Sequence, residues 1–272
     1  MDKQIHIKAS VLASFIFALV VNALANILPF NGIDTGQVSN LYINLFTPAS
    51  YTFAIWGLIY GFLAIYVLSV LGIINKKERH LSDWHLKIAW LFVFSNLANG
   101  LWMIAWHYQF LLVSVILMMV ILLSLLLIRF EVHKHILTDH EVFCIRNPFS
   151  IYLGWITVAT VANITAFLVS IQWSQWGIGE EIWFIAILLV ATIIGLATMD
   201  HFKDVLYGFV LMWSYMGIVI KHWSPDGFAG VYTYGKWAVL VFFVLLTIAT
   251  LRILLQKRQQ AVGQETKVDN HQ

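Results

Sequence analysis

Charged side chains are scarce in this sequence, and their scarcity indicates the class of protein. Asp, Glu, Lys and Arg make up 11% of the 272 residues, whereas a soluble domain carries about 25%. The hydrophobic fraction is 60% and the mean hydropathy is +0.81. We therefore predict an integral membrane protein whose chain crosses the bilayer several times.

Cysteine is nearly absent as well. The single Cys144 excludes an intrachain disulfide and a metal site built from several cysteines. His133, His135 and His140 lie near it in segment 131–147, but their spacing matches no common metal site. We expect a solvated loop here and no bound metal. The net charge of +2 is small, so no nucleic-acid partner is expected.

Ionisable groups are also missing from the centres of the apolar segments. All 14 Asp and Glu residues lie in loops, tails or helix ends, and Asp200 comes nearest to the membrane. Proton- and ion-coupled transporters usually place such a group at mid-membrane, which argues against a coupled pump. Arg129 and Arg252 end two apolar segments, and we expect both side chains to extend to the membrane interface and away from any pore.

Eight apolar segments are long enough to span a bilayer, which takes about 20 helical residues. We predict an all-α, polytopic transmembrane helix bundle with spans at 10–28, 51–74, 86–106, 110–129, 151–171, 182–198, 205–221 and 237–255. The first segment also has signal-peptide features, with a basic start and the sequence Ala23-Leu24-Ala25. Asn22 and Asn26, four residues apart, instead favour a retained helix with a polar face.

The basic residues indicate an orientation, because cytoplasmic loops are enriched in Lys and Arg. With eight spans and a cytoplasmic N-terminus, only Lys221 and Lys236 of the 16 basic residues lie outside. The inner set is Lys3, Lys8, Lys76, Lys77, Arg79, Lys87, Arg129, Lys134, Arg146, Lys203, Arg252, Lys257, Arg258 and Lys267. Both termini are therefore predicted to be cytoplasmic, in an integral membrane protein that we expect in a bacterial plasma membrane.

Two polar segments lie outside the spans. Segment 30–49 is long for a connection in such a protein, carries Asp34 as its only charge, and contains Asn-Gly and Thr-Gly turn formers. Long ordered loops are often functional lids, and a plain solvated loop is the alternative. The tail 257–272 is polar and predicted to be disordered.

Aromatic and amide side chains recur within the spans. Trp56 and Tyr60, four residues apart, lie on one helix face, which fits either an interfacial aromatic belt or the wall of a pocket. The amides either bond neighbouring helices together or line a cavity for a flat, largely apolar ligand. The candidate ligand-binding residues are Trp56, Tyr60, Asn99, Trp102, Trp155, Ala159 and Asn163.

Three stretches resemble the tryptophan-rich sensory protein/translocator protein (TspO/MBR) family. They are Pro48, Tyr51, Trp56 and Tyr60 near the second span, Asn99 and Trp102 in the third, and Trp155, Ala159, Thr160 and Asn163 in the fifth. Three features depart from the family pattern: a second proline is replaced by Ala49, the gap from Phe53 to Trp56 is one residue shorter, and three more spans follow. We therefore divide the chain into a TspO-like five-helix bundle (1–172), three additional helices (173–256) and a tail (257–272).

The resemblance implies a bundle that binds porphyrins, sterol-like lipids or aromatic drugs near the first loop. Our first hypothesis is thus a membrane receptor or carrier for a flat hydrophobic ligand such as a porphyrin or other tetrapyrrole. The alternative is a small-solute or lipid transporter of the uniporter kind. An enzyme is disfavoured, because the sequence offers no nucleophile–base pair. The expected partners are the bilayer and a hydrophobic small molecule, with a homodimer left open and no cofactor required.

The predicted orientation can be tested with reporter fusions after Lys77, Glu180 and Lys267. They should report inside, outside and inside, because the basic residues segregate to one side. An outside signal at Lys267 would show that a span has been miscounted.

Overall fold

Long apolar segments separated by polar turns fold as helices, since a helix satisfies its own backbone hydrogen bonds in lipid. The computed structural model describes residues 2–28, 30–74 and 81–269, with backbone only for 2, 3 and 261–269. The loop residues Lys76, Lys77 and Arg79 lie outside this part. The helices are α1 (Asp2–Ile27), α2 (Thr35–Leu41), α3 (Ile55–Val70), α4 (Asp83–His107), α5 (Leu111–His133), α6 (Asp139–Glu141), α7 (Asn147–Ser170), α8 (Glu180–Phe202), α9 (Val205–Trp223) and α10 (Thr233–Asp269).

Eight helical segments of the described residues are long and apolar enough to cross a membrane. The second, Ser50–Val70, includes the helical turn before α3, and the fifth, Asp139–Ser170, runs from α6 to the end of α7. The prediction of an all-α bundle with about eight spans is confirmed. The spanning part of the last helix is Thr233–Gln260, and its backbone stays helical as far as Asp269. This helical stretch includes most of the segment for which composition predicts disorder, and Gln, Ala, Glu and Lys there are good helix formers.

The bundle is connected through its central helices. Helix α4 packs against α1 and α5, and α7 packs against α5, α3 and α9. Helix α10 in turn packs against α8 and α9. Gly154 of α7 permits the close approach of α9, because a Cβ atom there would lie 2.9 Å from Cβ of Val210. The last three helices therefore lie directly against the first five.

Arg129 is buried within the bundle, so our expectation of a side chain that extends outward is wrong for this residue. Its guanidinium is 2.6 Å from Oδ2 of Asp204, and its side chain is only 2% exposed. The guanidinium also lies over the ring of Phe202, 5.1 Å from its centre. Asp204 precedes α9 and accepts further hydrogen bonds from the Ser150 hydroxyl and the Tyr207 amide. A buried carboxylate thus holds Arg129 inside the bundle, whereas Arg252 is exposed as expected.

Replacing Arg129 with Gln should lower the free energy of unfolding by about 3 kcal/mol or more, because Asp204 would remain buried without its cation. The matched control Arg252→Gln removes an exposed charge and should change stability little. Thermal unfolding of both variants in detergent measures the difference. Equal melting temperatures would contradict a structural role for the pair.

Candidate functional site

Trp56 lies at the centre of an aromatic cluster built from three helices. It precedes Tyr60 by one turn of α3, and their rings stack with centres 5.7 Å apart and planes at 26°. Trp102 of α4 is 6.0 Å from the Trp56 ring, and Trp155 of α7 meets it edge-on at 6.2 Å. Helical spacing and interhelical packing therefore bring together four of the predicted residues around a single indole.

The indoles enclose a small cavity of about 30 Å³. Five of the seven predicted residues line it: Trp56, Trp102, Trp155, Ala159 and Asn163. Small Ala159 leaves open the space beside the Trp rings, as its spacing from Trp155 predicts. A space of this size holds only one or two water molecules, so the aromatic rings themselves fill most of the site.

Tyr60 and Asn99 do not line the cavity but belong to a polar junction beside it. Oδ1 of Asn99 accepts hydrogen bonds from the Tyr60 hydroxyl and from Nδ2 of Asn22, both 2.8 Å long. Nδ2 of Asn99 donates to the Tyr152 hydroxyl at 3.0 Å. This junction joins α1, α3, α4 and α7, which is the helix-bonding role that buried amides often have in membranes.

Four buried N–H donors around the cavity have no hydrogen-bond partner in the described part of the chain. They are Nε1 of Trp56, Trp102 and Trp155, and Nδ2 of Asn163. The side-chain oxygen of Asn163 is already engaged by the Ser114 hydroxyl at 3.1 Å. A buried donor without a partner costs about 1–3 kcal/mol. All four unpaired groups are donors, so the site favours a guest that carries hydrogen-bond acceptors.

Sequence reasoning missed other residues that line the cavity. Helical periodicity could have found four of them, because Phe53, Trp106, Val158 and Ala162 lie three or four positions from predicted members. Ser39 and Pro48 come from the loop over the cavity. Their position depends on how the loop folds back, and residue spacing does not give that.

The loop 30–49 is ordered and is fixed to α4 at its first half. Asp34 begins α2 with a capping box, in which its carboxylate accepts from the Gln37 amide at 2.8 Å. Thr35 then lies against the end of α4, with Oγ1 3.1 Å from Nε2 of His107 and its carbonyl accepting from Nε1 of Trp106 at 3.3 Å. These contacts hold the loop across the cavity mouth.

Helix α9 holds the second half of the loop. The Ala49 amide donates to the Gly217 carbonyl at 3.0 Å, and Nε2 of His222 lies 3.0 Å from the Leu45 carbonyl oxygen. A Cβ atom on Gly217 would collide with Oγ1 of Thr52, so glycine allows this close approach. The last three helices thus contribute to the position of the lid.

A larger cleft of about 470 Å³ lies beside this cavity. Its lining combines the polar residues Asn26, Asp34, Thr35 and Ser50 with Gly36, Tyr51, Phe53, Ala54 and Trp56. Trp56 and Phe53 line both spaces. The Trp56 indole and the Phe53 ring therefore lie between the wider cleft and the small aromatic cavity.

Comparison with protein-family models gives one match, to the model described as TSPO-like protein, over residues 8–253. The chain belongs to this TSPO-like family. The matched region extends beyond the five helices whose motifs carry the resemblance and reaches Ile253 in α10. No curated protein and no solved structure matches the chain significantly.

Membership of the TSPO-like family and the eight apolar helices identify an integral membrane protein of the receptor or transporter kind. The division at residues 172 and 256 stays a prediction, as do the bacterial membrane and the cytoplasmic termini. Among the described residues, no group of three or more His, Cys, Asp or Glu side chains is placed to hold a metal ion.

Proposed function

We propose that this TSPO-like protein is a membrane receptor or carrier that binds a flat, largely apolar ligand, such as a porphyrin, in the cavity around Trp56. The observation that carries the proposal is the set of unpaired indole N–H groups on Trp56, Trp102 and Trp155. A tetrapyrrole offers broad faces that stack on indoles, and nitrogen or carboxylate acceptors at its centre and edge. Such a ligand would stack on the indole rings and accept hydrogen bonds from their N–H groups.

The cavity must enlarge to admit this ligand. At about 30 Å³ it holds no porphyrin, but the cleft on the other side of Trp56 is about 470 Å³. Rotation of the Trp56 side chain out of its stack would join the two spaces. Aromatic pairs contribute about 0.5–1.5 kcal/mol each beyond their buried area. Ligand faces that replace the ring contacts of Trp56 would offset the cost of separating them.

The position of the loop 30–49 favours entry of the ligand from the cleft. Ser39 and Pro48 cover the aromatic cavity, while Thr35 and Gly36 line the cleft. Because one loop borders both spaces, its attachment to α4 and α9 determines how far the mouth can widen. A ligand would therefore enter between the loop and the start of α3, beside Trp56.

Porphyrin titration of purified protein in detergent tests the proposal. Trp155→Ala should weaken binding about tenfold or more, because both a stacking face and a donor are lost. Trp102→Phe keeps one aromatic ring and removes the N–H with part of the stacking surface, so the loss of affinity should be smaller but measurable. Ala159→Phe should fill the cavity and abolish binding. Each variant is checked for monodispersity and thermal stability.

Two matched control variants distinguish loss of the binding site from general effects of the substitutions on the protein. Ala13 is exposed on α1, so Ala13→Phe adds the same bulk outside the cavity. Trp237 is 55% exposed on α10, so Trp237→Phe removes an indole N–H elsewhere. Both should bind porphyrin like the wild type. Wild-type affinity in well-folded Trp155→Ala and Ala159→Phe would refute this site.

A further inference from the structure

A second cavity, of about 70 Å³, lies where α7 ends and α8 begins. It shares no lining residue with the cavity around Trp56. Its apolar wall is formed by Leu45, Phe46, Leu168, Val169, Phe184 and Ile187, and the remaining lining residues are Asn44, Thr165, Trp173, Gln175, Glu180 and Trp183. Two indoles and one carboxylate thus border a space that is largely hydrocarbon.

The aromatic part of this cavity is held rigidly. The rings of Trp173, Trp176 and Trp183 contact one another with centres 4.9–5.4 Å apart. Nε1 of Trp183 donates to the Gln175 carbonyl at 2.7 Å. Gln175 and Trp176 have positive φ angles of 56° and 53°, a backbone conformation that is unfavourable for residues other than glycine. These two residues adopt the unfavourable conformation in the connection between α7 and α8, which positions the indoles beside the cavity.

The two carboxylates at the start of α8 differ in their contacts. Oε1 of Glu181 accepts a hydrogen bond from the Gly235 amide at 2.7 Å. Glu180 borders the cavity, and the Tyr232 hydroxyl lies 3.5 Å from its Oε2. Among the described ion pairs, neither carboxylate has a Lys, Arg or His partner. The cavity is therefore bordered by the carboxylate of Glu180, which is exposed at its rim and has no ion pair among those described.

We propose that this second cavity binds an organic ammonium ion carrying alkyl groups. Indole faces attract a cation within about 6 Å of the ring centre, the Glu180 carboxylate supplies the opposite charge, and the apolar wall accommodates methyl or longer alkyl groups. Ca²⁺ and Mg²⁺ sites are usually built on carboxylates with several oxygen ligands, and Glu180 is the one carboxylate among the lining residues. The ammonium group belongs either to a lipid headgroup or to a free amine. The site is separate from the proposed porphyrin site.

Titration of the full-length protein with benzyltrimethylammonium, followed by saturation-transfer NMR, tests this proposal. Glu180→Gln should weaken binding by about threefold to tenfold, and Trp173→Leu by a similar factor, because a partly exposed ionic or cation–π contact contributes modestly. The matched control Glu181→Gln removes the neighbouring charge while its amide oxygen can still accept from Gly235. It should bind the probe nearly as tightly as the wild type.

Neutral and lipid controls complete the experiment. The uncharged isostere of choline, 3,3-dimethylbutan-1-ol, should bind much more weakly than choline. Weaker probe binding in phosphatidylcholine nanodiscs than in nanodiscs of the uncharged, ammonium-free lipid digalactosyldiacylglycerol supports the proposal and assigns the site to a lipid headgroup. Equal binding in both supports it and assigns the site to a free amine. Wild-type affinity in both Glu180→Gln and Trp173→Leu, or equal binding of choline and its isostere, would overturn it. Glu180→Gln should leave porphyrin titration unchanged, which separates the two sites.

Discussion

A polar group inside a bilayer has no water to bond, so it must find its partner within the protein or in a bound molecule. Several buried polar groups of this bundle find their partners within the protein. Asn99 engages three side chains on three other helices, and Arg129 pairs with Asp204. The indole N–H groups of Trp56, Trp102 and Trp155 have no partner in the described part of the chain, and the same holds for buried atoms elsewhere, such as the Asn96 amide and the Tyr66 hydroxyl. The three indoles are distinguished by their position, because all three border one cavity.

The same constraint explains the part that α9 plays in the candidate site. The loop residues Leu45 and Ala49 bring backbone polar groups against α9, which satisfies them through His222 and the Gly217 carbonyl. Nε1 of Trp213 also donates to the Thr52 carbonyl at 3.0 Å. In this chain the mouth of the aromatic cavity therefore depends on helices from both halves of the sequence, and a change in α9 can reach the lid.

Residue spacing predicts what is local. Hydropathy located all eight spans, and helical periodicity placed Trp155 and Ala159 on one face at the cavity. Spacing does not decide what a polar residue bonds across helices, which is why Asn99 was grouped with the lining residues. The error for Arg129 has the same origin. Its partner Asp204 is distant in sequence. From the sequence alone, an arginine near a helix end fits an interfacial anchor, because the pattern does not reveal the carboxylate that lies beside it in the folded bundle.

The central claim is that a flat ligand engages the unpaired indoles. Indole ¹⁵N labelling gives one N–H resonance for each of the 12 Trp residues, and single Trp→Phe variants assign them. Added porphyrin should shift the resonances of Trp56, Trp102 and Trp155, because each N–H gains an acceptor and lies near the ring current. Those of Trp90 and Trp237, which are 43% and 55% exposed, should stay in place. Bound porphyrin that leaves the three cavity resonances unmoved would contradict this account.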